Sequence, residues 1–371
     1  MPVPLLDLQA QYAMISGELD AAVLDVVRSQ RFILGPAVER LEQQAAAYLG
    51  ARHAIGCASG TDALLLPLKA LQLEPGDEVI VPAFTFFATA GAVWNAGLRP
   101  VFADIDAATF NMRAEEIEPA LTDRTRAIIV VHLFGQTAEI EPILALAQRH
   151  GLAVIEDAAQ AFGARRRAGG EWRHAGTMGT VGGFSFFPSK NLGGFGDGGL
   201  MTTEDDALAE RLRKLRVHGG QQMYHHEMVG TNSRLDALQA AVLSAKLPHL
   251  DGWAEGRRRN AQWYDRRLAG IDGVVTPHAL PENEHVYNQY TVRAARRDGL
   301  KRLLDERRIG NAIYYPLPLH LQECFQSLGY RRGDLPESER AATEALSIPV
   351  YPELSEAQKD EVASTVESFY R

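Results

Sequence analysis

The sequence predicts an α/β fold in three layers, a mainly parallel central sheet covered by helices on both faces, with a smaller C-terminal α/β domain after it. Short β-branched runs alternate with amphipathic stretches at a spacing that suits strand–helix–strand units. Runs such as 127–131 are apolar throughout, as strands buried on both faces are. The length, 371 residues, exceeds what one compact core normally holds.

The elements follow in order. Residues 54–57 read as a strand that enters Ser59-Gly60-Thr61 and then a helical pattern, in which Pro67 comes early enough to bend the helix. Strands follow at 79–81, 100–104, 127–131 and 153–157, with amphipathic stretches at 115–121 and 140–150. Glycine-rich sequence from Gly179 to Gly199 breaks the alternation and holds two strand-like pieces, 183–187 and 199–203. Helices are expected at 204–217 and 235–247, with an irregular loop between them. A boundary near Pro248 divides the chain into a large domain, 1–247, and a small C-terminal domain, 248–371. The small domain reads as a helix at 253–268, strands at 289–292 and 311–314, a helix at 300–307 and two terminal helices.

Composition narrows the partners. A net charge of −9 argues against nucleic acid. Cys57 and Cys324 lie far apart in no metal-ligand spacing and read as two reduced thiols, so no metal is expected. The N-terminus shows no basic segment followed by a long apolar one, and apolar runs fall far short of the ~20 residues of a spanning helix. A cytoplasmic protein without a membrane partner is expected.

Ligands of a parallel sheet bind outside the carboxyl ends of its strands, so polar residues there carry the chemistry. Ser59-Gly60-Thr61 opens a helix, where free N–H groups suit a phosphate, although plain N-capping is the alternative. Asp157 ends a strand, and a carboxylate there can keep the ring nitrogen of a pyridine cofactor protonated; a helix cap or a magnesium ligand reads equally well. Lys190 lies between an aromatic strand and a glycine-rich turn, a setting for a desolvated Schiff-base lysine or for an exposed loop lysine. Phosphate turn, strand-end Asp and later Lys, in that order, match one known arrangement. Other polar clusters read as structural. His225-His226 lacks a third ligand, and Asp104 and Asp106 read as strand-end capping and turn formation. Arg165-Arg166-Arg167 reads as a solvated turn, and Arg211, Arg213, Lys214 and Arg216 as a solvated helix face.

With these motifs in place, the chain closely resembles the DegT family of nucleotide-sugar aminotransferases, of the aspartate-aminotransferase fold. The likeness runs from Phe32-Ile33-Leu34-Gly35-Pro36 through Ser59-Gly60-Thr61-Asp62-Ala63-Leu64, Gly76 to Pro82 and Thr85-Phe86. It continues through Glu156-Asp157-Ala158-Ala159-Gln160, Ser185-Phe186 with Lys190, and Gly230-Thr231-Asn232-Ser233-Arg234, to Tyr315-Pro316-Leu317-Pro318-Leu319-His320. The resemblance implies pyridoxal 5′-phosphate, with pyridoxamine 5′-phosphate as its intermediate form. Lys190 then holds the cofactor as a Schiff base and moves protons, and Asp157 pairs with the pyridinium nitrogen. Gln160 lies near the ring hydroxyl, and Phe86 stacks on the ring. The backbone at Gly60 and Thr61, with the Ser185 hydroxyl, holds the phosphate, and Ser59 counts among the cofactor-binding residues. Asn232 reaches it from the neighbouring subunit of a homodimer with shared sites. Phe32, Arg234, Tyr315 and His320 are substrate-side candidates. The implied reaction moves an amino group from L-glutamate to a nucleotide-linked keto-sugar. Lys190-Asn191-Leu192-Gly193 with Gly196-Asp197-Gly198-Gly199 looks more like members that aminate carbon 3. The alternatives are the same chemistry at carbon 4, or a sugar dehydratase, whose members carry histidine where Lys190 stands. A sensor keeping the fold without the chemistry would be expected to lack Lys190 or Asp157.

Overall fold

In the computed structural model, residues 2–220, 222 and 224–371 are described. Two helices come first, α1 (Leu8–Ser29) and α2 (Pro36–Leu49), and then β1 (His53–Cys57) and α3 (Asp62–Ala70). Next come β2 (Glu78–Pro82), α4 (Ala88–Asn95), β3 (Arg99–Ala103), the short α5 (Ala114–Ile117), β4 (Thr125–Val131), α6 (Ile140–His150) and β5 (Ala153–Asp157). A hairpin, β6 (Arg165–Ala168) and β7 (Glu171–His174), precedes β8 (Val181–Ser185), β9 (Gly199–Thr203), α7 (Asp206–Leu215) and α8 (Ala237–Lys246).

One seven-stranded sheet organises these elements in the order β1-β9-β8-β5-β4-β2-β3. Pairings from β8 to β3 are all parallel, and β9 alone runs against its neighbours β1 and β8. Alternate side chains of β4 show why its run is apolar throughout. Ala127 and Ile129 pack with α4 residues such as Val93, and Ile128 and Val130 with Ile143 and Leu146 of α6. A strand covered on both faces needs apolar residues at both parities. The carboxyl ends of β1, β2, β4, β5 and β8 therefore share one edge.

A second sheet gathers after α8. A 3₁₀ turn, Leu247–His249, carries the chain into α9 (Leu250–Leu268). Two-residue strands β10 (Val274–Val275) and β11 (Asn283–Glu284) precede β12 (Tyr290–Ala294), α10 (Arg297–Glu306), α11 (Pro336–Glu344), β13 (Ala345–Ile348) and α12 (Glu356–Tyr370). The antiparallel sheet β10-β12-β13 shares a core with α9, α10 and α12 built around Tyr264, Tyr290, Leu300 and Val362, and Val3 joins it.

Three expectations need correction. Residues 311–314 form no strand; Ala312 makes only an isolated bridge to Ser347. Gly310 is already paired with Val3, and Pro316 and Pro318 lack the N–H a ladder needs. The third strand is instead β13, which the reading of two terminal helices passed over. Arg165-Arg166-Arg167 is not a turn but β6, between β7 and β11, and Arg166 is buried against Glu141 at 2.8 Å. Arg216 leaves the solvated helix face: it is buried, and its Nη1 donates to Glu42 Oε1 (2.5 Å) and to the Gly56 carbonyl (2.8 Å). Among the described residues no helix is long and apolar enough to cross a membrane.

Candidate active site

At the carboxyl edge of the large sheet lies a cavity of about 530 Å³. Its lining includes Ser59, Gly60, Thr61, Phe86, Asp157, Gln160, Ser185, Lys190 and Tyr315, residues singled out from sequence far apart along the chain. Charged side chains on its wall are Asp157, Lys190 and Asp197.

Each position follows from an element. The loop after β1 turns into the nine-residue α3, where the Ser59 hydroxyl accepts from Asp62 N–H at 3.1 Å. The N–H groups of Gly60 and Thr61 meet no protein acceptor among the described residues. A Cβ on Gly60 would stand 2.6 Å from the Ser185 Cβ, so only glycine lets this turn lie against the end of β8. N–H groups at a helix start and a hydroxyl beside them make a cradle fit for a phosphate.

Asp157 ends β5 and is buried. The Thr89 hydroxyl of α4 donates to its Oδ2 at 2.8 Å, and the Ala159 N–H to its Oδ1 at 3.2 Å. Burial pushes the carboxyl upward, against the opposing pull of Thr89, the Ala159 N–H and the charge of Lys190. A cationic ring facing it would favour the ionised form further. Lys190 follows β8, its N–H donating to the Phe187 carbonyl at 2.8 Å. Burial brings its amine down to about 8, with Asp157 pulling the other way. Phe86 shows 56% of its surface beside Tyr315, the ring centroids 6.1 Å apart, as an aromatic wall able to cover a flat ligand.

Two contributors, Thr89 and His132, escaped sequence reading. Thr89 is one, although its spacing of four from Thr85 at a helix start is a visible signal; the two hydroxyls stand 3.2 Å apart. Gln160 uses both ends of its amide, accepting from the Phe134 N–H (2.7 Å) and donating to the Tyr315 hydroxyl (3.1 Å). Behind the sheet edge, Glu156 accepts from His132 Nε2 (2.8 Å) and from the N–H groups of Gly176, Met178 and Gly179. Because His132 Nδ1 accepts the Ala138 N–H (3.1 Å), Nε2 carries the proton. Burial works against ionisation of Glu156, yet these donors hold its carboxyl below the usual range.

Four candidates lie outside the cavity. Phe32 lends its carbonyl to the Ala237 N–H at the start of α8 (2.9 Å) while its ring faces outward. Asn232 is exposed and Arg234 half-buried. Between them, Ser233 is tied to Asp62 (2.6 Å) and to the Ala58 N–H (3.2 Å), which fixes this segment to the start of α3. His320 is buried, 3.2 Å from Glu339 and edge-on to Tyr330. Asp104 caps α11 through the N–H groups of Glu337 and Ser338, and Asp106 closes a turn onto the Ala108 and Thr109 N–H groups. Cys324 sits exposed on a 3₁₀ turn away from the cavity. Among the described residues no group of three His, Cys, Asp or Glu side chains converges as a metal site would.

A family model matches residues 13–367, that of the DegT/DnrJ/EryC1/StrS aminotransferase family. The chain belongs to this family. A pleiotropic regulatory protein of Geobacillus stearothermophilus is 52% identical, covering 100% of this chain and 99% of that protein. A UDP-N-acetyl-3-dehydro-alpha-D-glucosamine 3-aminotransferase of Acidithiobacillus ferrooxidans is 46% identical, covering 98% and 97%. Among solved structures, S. venezuelae DesV in complex with a ketimine intermediate superposes with a TM-score of 0.96 at 44% identity, covering 100% of this chain and 99% of that one.

Proposed function

We propose that this DegT/DnrJ/EryC1/StrS-family chain moves an amino group from L-glutamate to carbon 3 of a nucleotide-linked keto-sugar, with pyridoxal 5′-phosphate held by Lys190. The observation that carries the proposal is the convergence of Lys190, Asp157 and the start of α3 on one cavity. When bound, the cofactor supplies an electron sink that acidifies the carbon bearing the amino group. The chain supplies the rest. The N–H groups of Gly60 and Thr61, with the Ser185 hydroxyl, would hold the phosphate, and Asp157 as a carboxylate would pair with the ring nitrogen. Phe86 would cover the ring. The Lys190 amine, neutral in good part near pH 8, attaches the cofactor and carries a proton to and from the substrate carbon. Gln160 orients Tyr315, whose hydroxyl then serves the substrate side. Phe32, Asn232 and Arg234, outside this cavity, are assigned to the site of a second subunit, Asn232 to its phosphate. Support for carbon 3 comes from the similarity to the 3-aminotransferase of Acidithiobacillus and from Gly196-Asp197-Gly198-Gly199 beside the cavity.

Purified protein with added pyridoxal phosphate is expected to show a visible band that bleaches on L-glutamate. The glutamate-treated protein is then expected to aminate a 3-keto nucleotide sugar and to leave its 4-keto isomer. A folded protein without the band overturns the role of Lys190, and turnover of only the 4-keto compound overturns carbon 3.

A further inference from the structure

The turn that carries Lys190 has little secondary structure of its own. Inside it, the Lys190 N–H reaches the Phe187 carbonyl and the Gly194 N–H reaches the Phe186 carbonyl, both at 2.8 Å. On one side the Asn191 amide donates to the Val286 carbonyl at 3.0 Å. On the other side lies α8. Its residues Gln239 and Lys246 are two turns apart on one face, about 10.5 Å along the axis. Gln239 Oε1 accepts the Phe195 N–H at 2.7 Å, and Lys246 Nζ donates to the Gly193 carbonyl at 2.8 Å. Between those contacts the backbone touches the helix so closely that a Cβ on Gly194 would stand 2.8 Å from Gln239 Oε1.

Lys246 is the unusual member. It is 3% exposed, its Nζ lies 5.1 Å from the Phe195 ring, and among the described residues no carboxylate pairs with it. A buried ammonium without a counter-ion is costly, and leucine or methionine would fill the same space without that cost. Its hydrogen bond there goes to the turn after Lys190.

We propose that Gln239 and Lys246 are positioning residues for Lys190: by gripping the Phe195 N–H and the Gly193 carbonyl, α8 sets the depth at which the Lys190 amine enters the cavity opposite Asp157. This rests on the proposed role of Lys190, and the test separates the two. In cofactor-free protein, the pH dependence of Lys190 acylation by an amine-selective reagent, read by mass spectrometry of its peptide, reports how desolvated the amine is. The charged groups that share the cavity with that amine are Asp157 and Asp197, and the wild-type midpoint is expected near 8. Lys246→Met and Gln239→Leu are each expected to raise that midpoint by about one unit towards the ordinary lysine range. In the loaded enzyme they are expected to lower kcat about tenfold, with KM for the sugar within about threefold of wild type. Gln239→Glu, which keeps the acceptor, is expected to restore both. Folded Lys246→Met and Gln239→Leu proteins with unchanged midpoint and kcat overturn the proposal, and Gln239→Leu alone decides if Lys246→Met does not fold. Failure of the aminotransferase reading would show separately, in a wild-type protein whose band does not respond to glutamate.

Discussion

Lys190 and Asp157 face each other across a cavity whose walls make both charges expensive, and that cost has a measurable sign. The Lys190 amine titrates at about 8 when folded and near 10.5 when unfolded. Between those values the unfolded chain holds more protons, so stability rises with pH across that window. At neutral pH the buried ammonium therefore costs stability, on the order of 2 kcal/mol once discounted for the solvent the cavity admits. Cofactor-free Lys190→Met is expected to melt higher than wild type at pH 7 and to lose most of that advantage by pH 10; calorimetry at the two pH values checks it. Asp157 makes a second case. Thr89 donates to the carboxylate and pulls its ionisation down. Thr89→Val removes that donor, so the acid limb of the kcat profile should move up in pH and kcat at neutral pH should fall about tenfold. An unshifted acid limb would show that Thr89 does not govern Asp157.

Elements matter here because they deliver those residues to one edge. β1, β2, β4, β5 and β8 end together, and the loops that follow them form the site. The same edge is braced by a cap borrowed across the chain: Asp104, just past β3, accepts from the Glu337 and Ser338 N–H groups and the Ser338 hydroxyl at the start of α11. Asp104→Ala strands those three donors and the Ile105 N–H, and is expected to cost about 1–3 kcal/mol. Because the cap stands outside the cavity, thermal melting should show that loss while kcat at low temperature stays near wild type. The sequence pattern of β4, β5 and α6 was readable because a strand buried on both faces is apolar at every position and α6 repeats on one face. β6 and the buried Arg166 were not readable, since three arginines in a row look solvated until Glu141 and Glu284 are brought opposite them.

At the scale of the whole molecule, Asn232 and Arg234 stand away from the cavity of their own chain, next to a segment pinned by Ser233 to α3. If a second subunit completes the site, mixing Lys190→Ala with Asn232→Ala protein restores native sites in hybrid dimers, about a quarter of all sites at random pairing. Activity near that fraction after subunit exchange is expected; no recovery in mixtures shown to exchange counts against sharing. We further propose that the chain divides near Pro248, into units 1–247 and 248–371. Most of each unit's core is its own, although Val3 lies with the second core and Leu250, Trp253, Ala254 and Val286 lie with the first.

Periodicity and strand-end chemistry by themselves determined the sheet, its layers, and the candidacy of Ser59, Gly60, Thr61, Asp157 and Lys190. Those signals are local: a run of apolar residues, a polar residue where it stops, a glycine turn before a lysine. What only the tertiary structure decided is pairwise. Thr89 beside Asp157, Gln160 between Phe134 and Tyr315, His132 under Glu156 and Lys246 on Gly193 are contacts between residues tens to more than a hundred positions apart or on separate elements. No local pattern encodes such contacts, because a hydrogen bond depends on where two elements cross, and that is set by packing of the whole core.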